Sequence, residues 1–168
     1  TNDFSPKLGE VHEAGRGMQN SQFSKGIIFS SSKDKVRDLY HSLRRLGVKV
    51  AQIHSDLENA ERTQTLLDFK NNKIQLLVAT DVVSRGIDID DIEFVVNYDA
   101  PAQPEDYVHR IGRTARAGAR GEGITFVTPK DKPRLDKEPL FLRICPTASM
   151  RRICFMPISC RGRRTAIA

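Results

Sequence analysis

The 168-residue chain lacks any run of apolar residues as long as the roughly 18 that a membrane span needs. Its polar start, Thr1 to Asp3, is not typical of a signal peptide, and no cysteine precedes Cys145. A chain of this length can bury a core without disulfides or a structural metal. We therefore expect a cytoplasmic protein with one globular domain.

Acidic residues are missing from the last part of the chain. No Asp or Glu follows Glu138, whereas six arginines do, and no lysine follows Lys137. The formal net charge of +6 therefore comes entirely from this tail, and the rest of the chain is formally neutral. A neutral body is no indication of polyanion binding, so only local basic patches can be considered for that role.

The tail, residues 139–168, allows two interpretations. It is either a disordered basic extension that binds RNA or sequence foreign to the domain, and its density of Ile, Phe, Met and Cys favours the second. Its three cysteines, Cys145, Cys154 and Cys160, lack zinc-ribbon spacing and have no histidine among them. Free thiols are thus favoured over a zinc site. We place a linker or mobile arm at residues 1–22 and the domain at 23–138.

Short apolar runs alternate with helical patterns between these boundaries. Strands are predicted at residues 26–30, 48–54, 74–79, 94–98 and 124–127, and helices at 33–46, 56–69 and 104–111. Leu66, Leu67 and Phe69 are core candidates of the second helix. This alternation predicts a three-layer α/β domain with a mainly parallel sheet and helices on both faces. Ligands of such sheets bind beyond the carboxyl ends of the strands, so we expect function in residues 30–33, 54–62, 80–88 and 109–118.

The densest chemical pattern lies in residues 107–118, where three arginines and one histidine fall between positions 109 and 116. A solvated basic helix face would explain the charge, but not Gly112 and Gly118 placed among the arginines. Glycine allows a close backbone approach, and arginine binds phosphoryl groups through a planar, permanently charged fork. The pattern favours a phosphate-binding segment.

A second pattern lies in residues 78–89, where an apolar strand leads into Thr80, Asp81, Arg85, Gly86 and Asp88. Thr80 and Asp81 are also typical of residues that cap a turn. Capping does not explain Arg85, Gly86 and Asp88, which follow later in the segment. A carboxylate just beyond a strand is well placed to accept a hydrogen bond from a ribose hydroxyl. A nucleotide-binding loop is the favoured interpretation.

Together these strings, VATDVVSRGIDI and HRIGRTARAG, resemble motifs V and VI in the C-terminal RecA-like domain of DEAD-box ATP-dependent RNA helicases. Residues 27–30 resemble motif IV of that family, and residues 54–62 resemble its IVa region. The resemblance covers about residues 25–136. The pair of motifs V and VI is highly specific, and His109 at the start of motif VI indicates the DEAD-box branch.

The resemblance implies the residues that act on ATP. Arg113 and Arg116 correspond to arginine fingers that reach the γ-phosphate. His109 corresponds to a residue that links this domain to the N-terminal RecA-like domain of the family. Gly86 and Asp88 correspond to positions beside the nucleotide, with Asp88 accepting a ribose hydroxyl. The fingers and His109 are thus the implied catalytic residues, and no metal ligand is implied in this chain.

The resemblance also implies RNA contacts at Thr80, Arg62 and Ser30, and an interface-bracing role for Arg85. Asn59 departs from the family pattern, because a glutamine is usual three residues before the arginine that corresponds to Arg62. Its shorter side chain is expected to weaken one RNA or inter-domain contact.

Several catalytic motifs are missing. The chain contains no G-x-x-x-x-G-K-[ST] phosphate loop, no Asp-Glu-Ala-Asp string and no Ser-Ala-Thr segment. The resemblance therefore implies ATP as cofactor, Mg²⁺ held by an N-terminal RecA-like domain of the same full-length protein, and RNA as partner. We expect a monomer that unwinds short RNA duplexes with that domain, and we expect this chain to be inactive alone.

Three alternatives remain open. The chain could be a free-standing RNA-backbone module, a DNA helicase domain of the same superfamily, or an unrelated doubly wound enzyme such as a methyltransferase or dehydrogenase. His109 argues against the second. The lack of G-x-G-x-x-G after the first strand argues against the third.

Overall fold

The computed structural model describes residues 25–80, 92–114, 121–127, 130–131, 133 and 150–157. Its elements, in chain order, are β1 (Gly26–Ser30), α1 (Lys33–Arg45), β2 (Val50–Ile53), α2 (Asn59–Lys70), β3 (Leu76–Thr80), β4 (Phe94–Asn97), α3 (Pro104–Ile111), β5 (Gly121–Val127) and β6 (Met150–Pro157). No helix in the described part of the chain is long and apolar enough to cross a membrane.

The strands form one sheet in the order β2-β3-β1-β4-β5-β6, and every neighbouring pair is parallel. The predicted α/β class and parallel sheet are confirmed. The first helix leaves β1 toward β2, whereas β4 lies on the opposite side of β1. The crevice between the carboxyl ends of β1 and β4 is therefore the switch point of the sheet, where such folds bind ligands.

Apolar side chains of β1 alternate between two buried layers, as the period of two in a strand requires. Ile27 and Phe29 pack with Phe69 of α2 and Tyr107 of α3 on one face. Ile28 packs on the other face against α1, whose buried residues are Val36, Leu39 and Leu43. Helices thus cover both faces of the sheet, as predicted.

Local chemistry sets the ends of α1. Ser32 is its N-cap and accepts a hydrogen bond from the backbone N–H of Lys35 at 3.4 Å. Gly47 has a φ of 78°, a conformation that favours glycine, and its N–H donates to the carbonyl oxygen of Arg44 at 3.0 Å. The chain then turns directly into β2.

One predicted core residue of α2 is wrong. Phe69 is fully buried and Leu66 packs against the same layer, but Leu67 is 48% exposed. Leu66 and Phe69 are three positions apart and share a helix face, whereas Leu67 is rotated by about 100° from Leu66. The helix also begins at Asn59 rather than residue 56, because residues 54–57 form a turn in which the N–H of Leu57 bonds the carbonyl of His54.

Strand β6 was not predicted from the sequence. It lies within residues 139–168 and pairs in parallel with β5, with Ile124 opposite Cys154 and a register shift at Gly121 and Glu122. The segment shows no sustained strand period, so the pairing with an open edge of the sheet was not visible in the residue pattern. Cys145 and Cys160 lie outside the described residues.

Candidate active site

Two of the predicted RNA-contacting residues are neighbours at the carboxyl edge of the sheet. Ser30 ends β1, Thr80 ends β3, and the parallel register places them directly opposite each other. Neighbouring strands lie about 4.8 Å apart, so the two side chains belong to one small surface. Thr80 is half-buried and Ser30 is fully buried.

The Ser30 hydroxyl is engaged within the fold. It donates to Asp99 Oδ2 at 2.9 Å, and the Ser31 hydroxyl and backbone N–H donate to the same oxygen at 2.9 and 3.0 Å. Lys35 Nζ donates to Asp99 Oδ1 at 2.7 Å. A contact between Ser30 and RNA remains a prediction, and any such contact occurs beside this carboxylate.

Asp99 is charged in this environment. Burial alone would raise the pKa of its carboxyl, but hydrogen bonds from Lys35 and from the Ser31 backbone and hydroxyl outweigh burial. The pKa of Asp99 therefore lies well below its ordinary value. At neutral pH the switch point thus contains a negatively charged carboxylate that pairs with Lys35.

Arg62, the third predicted RNA contact, lies in the first turns of α2. Its Nη2 donates to Asn59 Oδ1, and its buried Nε has no hydrogen-bond partner among the described residues. Glu61 steadies this helix start by accepting from the backbone N–H of Glu58 at 3.2 Å. Asn59 therefore contacts the guanidinium of Arg62 directly, and the expected weakening of an RNA or inter-domain contact stays a prediction.

His54 lies at the end of β2, where this segment begins. It is buried, and neither ring nitrogen has a partner among the described residues. Burial, followed by the nearby charge of Arg37, lowers the pKa of His54, so its ring is held neutral. On the surface beside it, hydrogen bonds from Lys33 and Arg37 lower the pKa of Asp56.

The predicted finger segment forms the end of α3 and a tight turn. His109 is exposed, Arg113 is half-buried, and the Arg113 N–H donates to the carbonyl oxygen of Arg110 at 3.2 Å. A Cβ on Gly112 would come within 2.9 Å of the Val108 carbonyl oxygen. A side chain at this C-cap position would therefore crowd the last turn of α3.

Thr114 fixes the position of this turn. It forms a parallel bridge with Ile92, and its hydroxyl donates to the Ile92 carbonyl oxygen. Ile92 precedes Phe94, the first residue of β4, so Thr114 lies toward the amino end of that strand. The expectation that the whole 109–118 segment lies at the carboxyl edge is wrong, because α3 runs antiparallel to the strands and carries its last residues to the other end.

Sequence reasoning missed Arg110, which is 4% exposed. Its Nη1 donates to Asn97 Oδ1 at 3.1 Å and to the Asp99 carbonyl oxygen at 3.0 Å, and its guanidinium lies over the Phe29 ring, 5.5 Å from the centroid. Its place between the buried residues Tyr107 and Ile111 could have indicated a core position. Asp99 was also missed, although it lies two residues beyond the buried strand β4.

Part of the predicted site lies outside the described residues. This applies to Arg85, Gly86, Asp88 and Arg116. Their roles remain those that the sequence resemblance implies. The described part of the site therefore consists of the Ser30–Thr80 edge, the start of α2, and α3 with its following turn.

Comparisons with a family model and with known proteins indicate the same protein family. Residues 7–118 match the family model described as the helicase conserved C-terminal domain. The chain is 44% identical to ATP-dependent RNA helicase DBP8 of Scheffersomyces stipitis over 112 residues. This alignment covers 67% of this chain and 25% of that protein. The chain thus spans about a quarter of the length of this relative.

Solved structures are similar along most of the chain. The C-terminal domain of the DEAD-box protein Dbp5 has a TM-score of 0.75 and 31% identity, covering 91% of this chain and 84% of that one. S. cerevisiae Dbp5 bound to RNA and ADP BeF3 also has a TM-score of 0.75, with 32% identity, covering 90% of this chain and 38% of that one. The similarity therefore extends over the fold as well as the motifs.

Proposed function

The chain belongs to the helicase conserved C-terminal domain family, in its DEAD-box branch with a RecA-like fold, and from this premise we propose its function. It is the half of an ATP-dependent RNA helicase that contacts the RNA backbone and supplies arginine fingers to ATP. The parent protein unwinds short RNA duplexes when this half closes on an N-terminal RecA-like domain. This chain alone hydrolyses no ATP.

The main support for this proposal is that the predicted RNA-contacting residues and the predicted arginine finger lie on two separate surfaces. Ser30 and Thr80 lie together at the carboxyl edge of the sheet, whereas Thr114 holds the Arg113 turn beside Ile92, toward the amino end of β4. The 81–91 segment leaves Thr80 and rejoins the described chain at Ile92, so it joins one surface to the other. This arrangement supports RNA at the edge and ATP beside α3.

RNA recognition by this edge would not depend on base identity. A threonine hydroxyl and the Arg62 guanidinium are donors suited to phosphate oxygens, and phosphate contacts position a strand without reading its sequence. The neutral body of the domain predicts weak RNA binding by this half alone, because its acidic residues offset the attraction of its basic residues for the phosphates. Tight binding then requires the second domain.

ATP hydrolysis would need groups from both halves. Arg113, with Arg116, would stabilise charge on the γ-phosphate, and His109 would contact the carboxylates of the other domain. Bound Mg²⁺ would neutralise charge on the phosphates, held by residues outside this chain. The contribution of this chain is to place guanidinium groups at the nucleotide only when the two domains close.

The test is ATP hydrolysis by the full-length parent protein with no nucleic acid, single-stranded RNA or single-stranded DNA of the same sequence. We expect RNA to stimulate hydrolysis, DNA to do so weakly, and the isolated 168-residue chain to show none. Equal stimulation by DNA would support the DNA-helicase alternative. Hydrolysis by the isolated chain, at a rate that follows its concentration, would contradict the division of labour.

A further inference from the structure

Asp99 ties together three elements at the switch point of the sheet. Its carboxylate accepts hydrogen bonds from the end of β1, through Ser30 and Ser31, and from α1, through Lys35 at 2.7 Å. The Asp99 side chain is 13% exposed and that of Lys35 is 32% exposed, so water screens this ion pair only in part. The RNA-facing edge is therefore held to the end of β4.

The opposite side of the same residue is held by α3. The Asp99 carbonyl oxygen and the Asn97 side-chain oxygen both accept from Nη1 of the buried Arg110. Asn97 is itself fixed, because its Nδ2 donates to the buried Thr125 hydroxyl of β5 at 2.9 Å. The guanidinium of Arg110 also lies over the ring of Phe29, the residue before Ser30.

Arg110 lies one helical turn before Arg113, and the Arg113 N–H donates to the Arg110 carbonyl oxygen at 3.2 Å. A displacement of the edge at Ser30 would therefore act on Asp99, and through Asp99 on the turn that carries the finger. Buried polar groups joined in one network resist independent movement, because each broken bond leaves a desolvated partner.

We propose that Lys35, Asp99 and Arg110 form a bracket that positions the Arg113 turn relative to the RNA-facing edge and so couples RNA binding to ATP hydrolysis. These are positioning residues, since none of them is assigned a contact with ATP or RNA. The proposal rests on the proposed function, because both ligands enter through it. Packed side chains and hydrogen bonds of this kind can change coupling between two sites by about 0.5–2 kcal/mol, which is roughly two- to thirtyfold.

The bracket is tested in the full-length parent protein with Lys35→Gln, Asp99→Asn and the double variant. Lys73→Gln is the matched control, because it also removes a lysine–carboxylate pair, with Asp68 at 3.1 Å, far along the chain from the bracket. We expect ATP hydrolysis without RNA to be unchanged in every variant. Maximal RNA stimulation is expected to fall about three- to tenfold in the bracket variants and to stay at the wild-type level in the control.

A coupling readout separates positioning from general destabilisation. RNA affinity is measured by fluorescence anisotropy with and without ADP–beryllium fluoride, since coupling between two ligands is reciprocal. In the bracket variants we expect wild-type RNA affinity without nucleotide and a smaller gain with it. The double variant is expected to match the single ones, because both changes break the same ion pair.

The outcomes are distinguishable. A wild-type protein without RNA stimulation overturns the proposed function, and with it the bracket. If RNA stimulates ATP hydrolysis equally in the wild type and in Lys35→Gln, the bracket alone is overturned. The same holds if the bracket variants lose hydrolysis without RNA and hydrolysis with RNA in equal proportion. If Asp99→Asn does not fold, as judged by thermal unfolding, Lys35→Gln and Ser31→Ala test the bracket instead. Both remove partners of the same carboxylate, and Lys35 is partly exposed while Ser31 is exposed.

Discussion

The Thr114 hydroxyl donates to the carbonyl oxygen of Ile92, and this bond fixes the turn after α3 to the residue at which the 81–91 segment rejoins the sheet. Both residues are buried, at 4% and 3% exposure, so water is not available to replace the bond. The segment resembling motif VI is therefore anchored at Thr114 to Ile92, which lies three residues beyond the segment resembling motif V.

Loss of the hydrogen bond between Thr114 and Ile92 should lower the stability of the folded chain. We expect Thr114→Val to lower the free energy of unfolding by about 1–3 kcal/mol, because the change keeps the shape but leaves a buried carbonyl oxygen without its donor. Urea unfolding of the chain measures the change. Thr114→Ser keeps the hydroxyl and should be closer to wild type; equal losses in both variants would show that packing, rather than the bond, matters here.

The start of β1 has no room for a side chain. A Cβ on Gly26 would lie 1.8 Å from the Phe94 ring, so Gly26→Ala should cost about 1–3 kcal/mol through overpacking. A Cβ on Gly47 would meet no atom of the described residues within 4 Å, so Gly47→Ala should cost about 1 kcal/mol through its φ of 78°. In urea unfolding, Phe94→Leu should recover part of the loss in Gly26→Ala and none in Gly47→Ala. Recovery in both would contradict the clash.

Asp99 should make the protein sensitive to acid. Its pKa in the folded state is below the value of about 3.9 expected when unfolded, so the unfolded chain takes up the proton first as the pH falls. The stabilisation is then complete above about pH 4 and is lost as the pH falls further toward the lowered pKa.

The comparison of Asp99→Asn with wild type at pH 7 and pH 3 measures this effect. We expect the variant to be less stable at pH 7, with a smaller difference at pH 3. Asp34→Asn is the control, because its carboxylate is 80% exposed and pairs with Arg37 on the helix surface. A constant difference between wild type and Asp99→Asn across this range would contradict a charged Asp99.

Asn59 should matter for RNA binding although it has no assigned RNA contact. We expect Asn59→Ala to weaken binding of single-stranded RNA to the full-length parent about two- to fivefold, because Arg62 loses the oxygen that holds its guanidinium. Asn59→Gln, which can reach the same group, should retain more affinity. Fluorescence anisotropy at one fixed salt concentration measures both, and wild-type affinity in Asn59→Ala would remove the role of Asn59.

Much of the fold could be predicted from residue periodicity. The buried strands β1, β3 and β4 are apolar runs bounded by polar residues, and Pro104 and Gly47 mark helix ends that the structure has. Strand β6 could not be predicted, since it is set by pairing with the open edge of β5 rather than by its own pattern. Leu67 was misplaced because three apolar residues within four positions of a helix cannot all face the sheet.

Site residues that belong to sequence motifs could be predicted, whereas residues that matter through their tertiary contacts could not. The strand ends correctly indicated that Ser30 and Thr80 lie together. The direction of α3, which carries Arg113 away from that edge, depends on the crossover from β4 to β5 and was missed. Asp99 and Arg110 are recognisable only through their long-range hydrogen-bond partners, which are 11 to 69 residues away in the sequence.

The most direct test of the arginine finger is single-turnover ATP hydrolysis by the full-length parent protein with saturating RNA, comparing wild type, Arg113→Lys and Arg113→Ala. We expect Arg113→Ala to lose about 10³-fold or more in rate with RNA affinity close to wild type, and Arg113→Lys to recover little, because an ammonium lacks the planar fork. Wild-type turnover in Arg113→Ala would contradict the assignment.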